Sequence, residues 1–260
     1  MSVFKDDVLK GRRALVTGGG SGICRGIAEA LAQHGADVAV MGRKQEPLDE
    51  TVVALKRCGV KGLAVAGDVR QADQVADCVK RTVDAFGGLD LLINGAAGNF
   101  LCPAAQLSPN GFRTVIDIDL MGTFNVTKAA FEALQQARGC IVNISATLHY
   151  GGTPLQSHVA AAKAGVDALT RNLAVEWGPL GIRTNAIAPG PIDGTEGMSR
   201  LAPGDMRDKL IADMPVKRFG RIEEIAWAAI FLSSEAAQFV NGEIFVVDGG
   251  RWLNNMPLEM

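Results

Sequence analysis

Short apolar runs in this chain alternate with longer amphipathic stretches from one end to the other, and few architectures accommodate that rhythm. RALVT (13–17), DVAVM (37–41), GLAVA (62–66), LDLLIN (89–94), CIVNIS (140–145), IRTNAIA (182–188) and EIFVVD (243–248) are β-rich and bounded by Gly, Asp or Pro. Runs of that length and bounding read as strands. Between them, IAEALAQHG, ADQVADCVKRTVDAFGG and AGVDALTRNLAVEWG carry helical periodicity, and each closes on a glycine suited to a helix C-terminus. Strand–helix alternation predicts parallel strands, because a right-handed crossover lays each helix back onto the sheet.

The expected fold is therefore α/β, a single doubly wound Rossmann-type domain with a seven-stranded parallel sheet and helices on both faces. With 260 residues, 48% of them hydrophobic, one large core is within reach. There is no composition break or repeat, so residues 1–260 read as one domain. Residues 195–215, rich in Gly, Pro and Met, interrupt the rhythm and read as a substrate flap.

Composition also excludes classes of function. A formal charge of −2 gives no footprint for nucleic acid or an anionic membrane. The five cysteines are scattered, with no CxxC pair, and the three histidines form no HExxH, so neither a disulfide framework nor a metal site is expected. No apolar run approaches the ~20 residues that cross a bilayer. The start has no apolar signal region and NNMPLEM is not an SKL-type address. The reading is cytoplasmic, with the peroxisome as an alternative that lacks its signal.

TGGGSGICRG follows the first strand and opens the first helix. Gly18, Gly19, Gly20, Ser21, Gly22 and Ile23 there let backbone approach a pyrophosphate, whose charge the helix N-terminus favours. Cys24 stands where a third glycine is usual. An acid at the end of the second strand would hold a ribose 2′-OH. Asp37 begins that strand instead, and MGRK ends it with Arg43 and Lys44. A guanidinium at that place clamps a 2′-phosphate, so the expected cofactor is NADPH/NADP+.

TGGGSGI, GDV (67–69), NGAAG (94–98), IVNIS, Lys163 in its helix and APGPIDGT (188–195) together resemble the short-chain dehydrogenase/reductase family over essentially the whole chain. The resemblance implies that Asp68 and Val69 meet the adenine, that Asn94 lies under the adenosine, and that Lys163 binds the nicotinamide ribose. It implies that Pro189, Gly190, Ile192 and Thr195 cover the carboxamide side. The PG-to-Thr spacing is one residue longer than the common pattern. The family's catalytic set is Asn, Ser, Tyr and Lys. Here Asp119 holds the asparagine position, Ala146 the serine position, and Val159 the tyrosine position; only Lys163 is retained.

Valine cannot donate a proton, so an ordinary carbonyl reduction loses its acid. GAAGNFLCPA, TVIDIDLMGTFNV, SATLHY, AAKAGVDALTRNLAVEWGP and APGPIDGTEGMSRL are similar to the peroxisomal-type 2,4-dienoyl-CoA reductases, which lack that tyrosine and pair the lysine with an aspartate. That similarity implies an acyl-CoA substrate, Asp119 and Lys163 as catalytic residues, Arg70, Phe100, Ser108, Asn110 and Arg200 as substrate contacts, and a homotetramer. Two other readings stand beside it: a 3-oxoacyl or carbonyl reductase whose acid is displaced to Tyr150 or His149, and a catalytically silent NADP(H)-binding sensor. His149 and Tyr150 are expected in a loop packed against the flap. His158 lies five residues before Lys163, about 140° around the helix, and reads as a helix-start or surface residue.

Overall fold

The structure, a computed structural model, describes residues 4–195, 197–198 and 205–254. Strands β1 (Arg13–Thr17), β2 (Asp37–Gly42), β3 (Gly62–Ala66), β4 (Leu91–Asn94), β5 (Cys140–Ile144), β6 (Arg183–Pro189) and β7 (Ile244–Val247) form one sheet. Each lies within two residues of its expected run. All pairings are parallel, in the order β3-β2-β1-β4-β5-β6-β7. The order reverses direction between β1 and β4, and a crevice at such a switch point, beyond the strand C-termini, is where α/β sheets bind ligands.

The helices are α1 (Gly22–Gln33), α2 (Gln45–Arg57), α3 (Ala72–Phe86), α4 (Pro109–Ile116), α5 (Gly122–Ala137), α6 (Ser157–Trp177), α7 (Asp205–Asp213) and α8 (Ile222–Ser233). Strand side chains alternate between two cores, as a period of two demands. Ala14, Val16, Val38, Val40, Leu91 and Ile93 face α1, α2 and α8. Leu15, Ala39, Met41, Val65, Leu92 and Ile141 face α3 and α5. On that second face Asn143 of β5 donates to Thr170 of α6 at 2.9 Å. The first core closes tightly because Gly26 has no side chain: a Cβ there would stand 2.1 Å from Ile222 Cγ2 of α8.

Between α4 and α5 the helix widens into a π-turn over Asp117–Met121. Such a turn inserts one residue into the helical count and re-aims a side chain, here Asp119. The segment expected as a flap contains α7; Arg200, expected at the substrate, lies outside the described residues. No described helix is long and apolar enough to cross a membrane.

Candidate active site

Beyond β1 the chain turns through Gly18–Ser21 into α1. Gly18 is left-handed at φ +71°, and a Cβ on it would lie 2.9 Å from the Gly95 carbonyl oxygen. A Cβ on Gly19 would meet Val40 Cγ1 at 2.7 Å. Ser21 is extended and caps nothing, so no side chain covers the first N–H groups of α1. This glycine cradle at a helix N-terminus fits a dinucleotide pyrophosphate. Thr17 Oγ1 ties the loop to β4 by accepting the N–H groups of Gly95 at 3.0 Å and Ala96 at 3.2 Å.

Cys24 is accommodated by a glycine elsewhere. A Cβ on Gly95 would lie 2.1 Å from Cys24 Sγ, so the thiol occupies the space that a side chain at 95 would take. Burial pushes this thiol up to about 12, with the charge of Lys163 pulling partly back.

The side expected to take the adenosine is basic. Arg43 is exposed just past β2, with no hydrogen-bond or ion-pair partner among the described residues. Asp68 accepts from Arg70 Nε at 3.0 Å, and that guanidinium, helped by the charge of Arg43, holds its carboxyl below the usual range. Arg70 is thus engaged at this rim. Val69 is buried against Gly122, and its carbonyl accepts Asn125 Nδ2 at 3.0 Å. Asn94 donates to Thr127 Oγ1 and Asn143 Oδ1, both at 2.9 Å, while its own buried Oδ1 has no partner.

The segment after β6 returns to the phosphate loop. Gly190 N–H donates to Val247 O at 3.0 Å, and Ile192 forms an isolated bridge with Gly220. Thr195 Oγ1 donates to Ile192 O at 2.9 Å, and its methyl lies 4.0 Å from where a Cβ of Gly22 would stand. The one-residue-longer spacing therefore still brings Thr195 beside α1.

At the centre, Asp119 is fully buried. Its Oδ1 accepts Gly98 N–H at 2.7 Å, and its Oδ2 lies 3.2 Å from Lys163 Nζ. The π-turn of Asp117–Met121 directs the carboxylate from one helix toward the lysine of another. Lys163 Nζ also donates to Ile144 O at 2.8 Å, so the end of β5 fixes the ammonium. Val159, one turn earlier on α6, is buried with Val115 and Ala162, and Ile116 and Leu148 pack around them. The tyrosine position is filled by hydrocarbon.

His158 corrects the surface reading: it begins α6 as expected but is fully buried. The ring of Phe100, from a loop distant in sequence, covers it at 4.4 Å between centroids. Burial lowers its pKa, opposed by the Phe100 backbone and the charge of Asp119. Among the described residues the buried Asn99 Oδ1, beside Phe100, and Gln156 Oε1, two residues before His158, have no hydrogen-bond partner. Buried polar atoms are seldom left so.

A second buried carboxylate, Asp167, escaped the sequence reading. It receives Ser145 Oγ, His149 Nε2 at 2.9 Å, and Tyr150 OH at 3.5 Å. Burial and this carboxylate push the Tyr150 phenol up to about 12. Tyr150 also meets Trp252 edge-on at 5.2 Å, so His149 and Tyr150 pack on α6 and the C-terminal turn. The available signal was its spacing: four residues after Lys163, Asp167 lies on the same helical stripe.

Of the expected substrate contacts, Phe100 is partly exposed, and a Cβ on Gly111 would approach its Cζ to 3.3 Å. That glycine starts α4, where Ser108 Oγ accepts Gly111 N–H at 3.0 Å as the N-cap. Asn110 is exposed in the same turn, its carbonyl accepting Thr114 Oγ1. Phe100, Ser108 and Asn110 are therefore brought together, whereas Arg70 is drawn to Asp68.

A family model described as enoyl-(acyl carrier protein) reductase matches residues 18–251. The peroxisomal 2,4-dienoyl-CoA reductase [(3E)-enoyl-CoA-producing] of Arabidopsis thaliana is 49% identical over 97% of this chain and 88% of its own. The protein of that description from Saccharomyces cerevisiae is 48% identical over 96% of this chain and 87% of its own. A probable 2,4-dienoyl-CoA reductase [(2E)-enoyl-CoA-producing] of Bacillus subtilis is 44% identical over 95% and 98%. A solved short-chain dehydrogenase from Bacillus anthracis superposes with a TM-score of 0.87 at 40% identity, over 96% of this chain and all of that one. With these matches and the seven-stranded parallel sheet, the chain belongs to the short-chain dehydrogenase/reductase family.

Proposed function

We propose that the chain is a 2,4-dienoyl-CoA reductase that uses NADPH and releases a trans-3-enoyl-CoA. The carrying observation is the Lys163–Asp119 pair kept beside a tyrosine position that Val159 fills with packed hydrocarbon. A carbonyl reductase protonates an oxygen, and the chain's one tyrosine is committed to Asp167 instead. A dienoyl thioester needs no acid at that point.

Bound NADPH supplies a hydride to C5 of the diene. The electrons of the diene then move onto the thioester oxygen, and a proton joined to C2 leaves the double bond between C3 and C4. Lys163 sets a positive charge near the developing enolate, where preorganised charge stabilises it best. Asp119 balances that charge and orients the ammonium. A role for its Oδ2 in holding the water that protonates carbon is supported by its having no hydrogen-bond partner among the described residues beyond the 3.2 Å lysine contact. Arg43 is the residue for the 2′-phosphate of the cofactor, supported by its free guanidinium beside Asp68. Phe100, Ser108 and Asn110 line the acyl path.

The test is NADPH oxidation with 2,4-hexadienoyl-CoA and 2,4-decadienoyl-CoA, the product read by NMR. Turnover to the 3-enoyl product is expected. The Bacillus subtilis relative is described as producing the (2E) isomer, so a 2-enoyl product overturns the protonation step, and no turnover overturns the reading. Dissociation constants test the cofactor: NADH binding tighter than NADPH removes Arg43 from its role.

A further inference from the structure

At the opposite edge of the sheet, where β1, β5 and β6 begin, a cavity of ≈ 80 Å³ is walled in part by Arg12, Arg138, Arg183, Asp90, Ser233 and Glu235. Three guanidiniums meet two carboxylates there, and one carboxylate is already engaged. Asp90 accepts Arg13 Nε at 2.6 Å, Arg13 main-chain N–H at 2.9 Å and Arg13 Nη2 at 3.2 Å. Arg12 comes no closer to it than 3.8 Å.

Arg183 donates to Leu232 O at 2.9 Å and Val240 O at 3.3 Å. A guanidinium has five N–H donors, so most of its capacity remains. The Arg138 guanidinium has no hydrogen-bond or ion-pair partner among the described residues. It lies against Gly181, its Nε 3.0 Å from where a Cβ would stand, and it holds a left-handed φ of 48°. That conformation is the C-cap of α5, which ends the helix there. In the same wall the Ser233 hydroxyl is buried beside the Cys140 thiol.

We propose that this cavity binds one free inorganic oxyanion of the phosphate class. The space is large enough for a few-atom oxyanion. Guanidiniums from three separate elements supply forked donors that match its oxygens, and Ser233 adds a hydroxyl. The site stands across the sheet from the phosphate loop, so its occupant does not compete with the cofactor. Bound there, the anion links the starts of β1, β5 and β6, which span β4 in the sheet, and stabilises the folded chain.

The experiment is thermal unfolding of the full chain at constant ionic strength, with inorganic phosphate replacing chloride. Saturating NADP+ and coenzyme A are present throughout to fill every other phosphate site. A saturable rise is expected, about 4 °C at ten times the dissociation constant. Arg138→Gln and Arg12→Gln should each remove most of it, with folding of both variants checked by NADPH binding. A rise of equal size in both variants, or none above chloride in the wild type, overturns the site. Phosphorus-31 line broadening of phosphate by the wild-type chain, under the same saturation, decides the matter without a variant: broadening supports the site, and sharp lines overturn it.

Discussion

Removing the ammonium of Lys163 takes away both the charge proposed to meet the enolate and the counter-ion of a fully buried Asp119. Lys163→Ala should therefore lower kcat by about 10²–10⁴-fold, and also the melting temperature, since an unpaired buried charge costs about 3–5 kcal/mol. Asp119→Asn retains an acceptor for Gly98 N–H and should lose turnover with a smaller stability change. Fluorescence titration should show NADPH binding in both, and retained activity in both removes the mechanism. Cys24 and Gly95 offer a cleaner coupling. Gly95→Ala drives a methyl into the buried thiol and should cost about 2 kcal/mol, whereas in a Cys24→Gly background the cost should fall below about 1 kcal/mol. Urea unfolding of the four chains measures it. The substitution at 24 was legible in the sequence, because the glycine pattern names the position. Its compensation at 95 was not, because nothing local links two residues that meet only when β1 and β4 pair.

The elements that carry the site were unevenly legible for the same reason. Strands announce themselves by short apolar runs such as LDLLIN and CIVNIS, and each folded where those runs lie. The π-turn at Asp117–Met121 was not legible, since the ~100° shift in phase from one extra residue is hard to see in helices as short as α4. His158 reads as a surface residue in the sequence because its cover, Phe100, comes from a loop rather than from its own helix. Helix α8 shows how one such element responds to acid. Glu224 accepts Arg218 Nη1 and Nη2 at 2.8 and 2.7 Å and Arg221 N–H at 2.8 Å, and the Arg218 bond above all holds its carboxyl down to about 2. The folded value lies below the unfolded one near 4.5, so this stabilisation is full above pH 4.5 and is lost as pH falls toward 2. Glu224→Gln should be less stable than the wild type at pH 7, with the gap closing by about pH 2 in urea titrations. The β5–α6 loop responds at the other end of the scale. Tyr150 titrates near 12 when folded against about 10 when unfolded, so its contribution is complete below about pH 10 and disappears as pH rises through about 12. Tyr150→Phe should flatten that alkaline loss.

For the whole molecule, the apolar side chains Phe112 on α4, Met121 in the π-turn, Phe124 on α5 and Val175 on α6 are exposed, and the resemblance implies a homotetramer. Single exposed hydrophobics are ordinary; several on adjacent helices mark an interface. We expect light scattering to give about four times the 27.3 kDa chain mass. Phe124→Glu with Val175→Glu should reduce it, and an unchanged mass in that variant places the interface elsewhere. The strand order carries a different consequence, for a chain still being made. β1 meets β4 across 77 residues, so the ribosome must add Asn94 before the middle of the sheet can close, roughly 5–20 s after initiation. β4 then waits for Cys140–Ile144 to emerge as its other neighbour. Throughout that interval its open edge presents Leu91, Leu92 and Ile93 unpaired, a template for a neighbouring nascent chain on the same polysome. The chain is most in need of a chaperone between about a third and a little over half made.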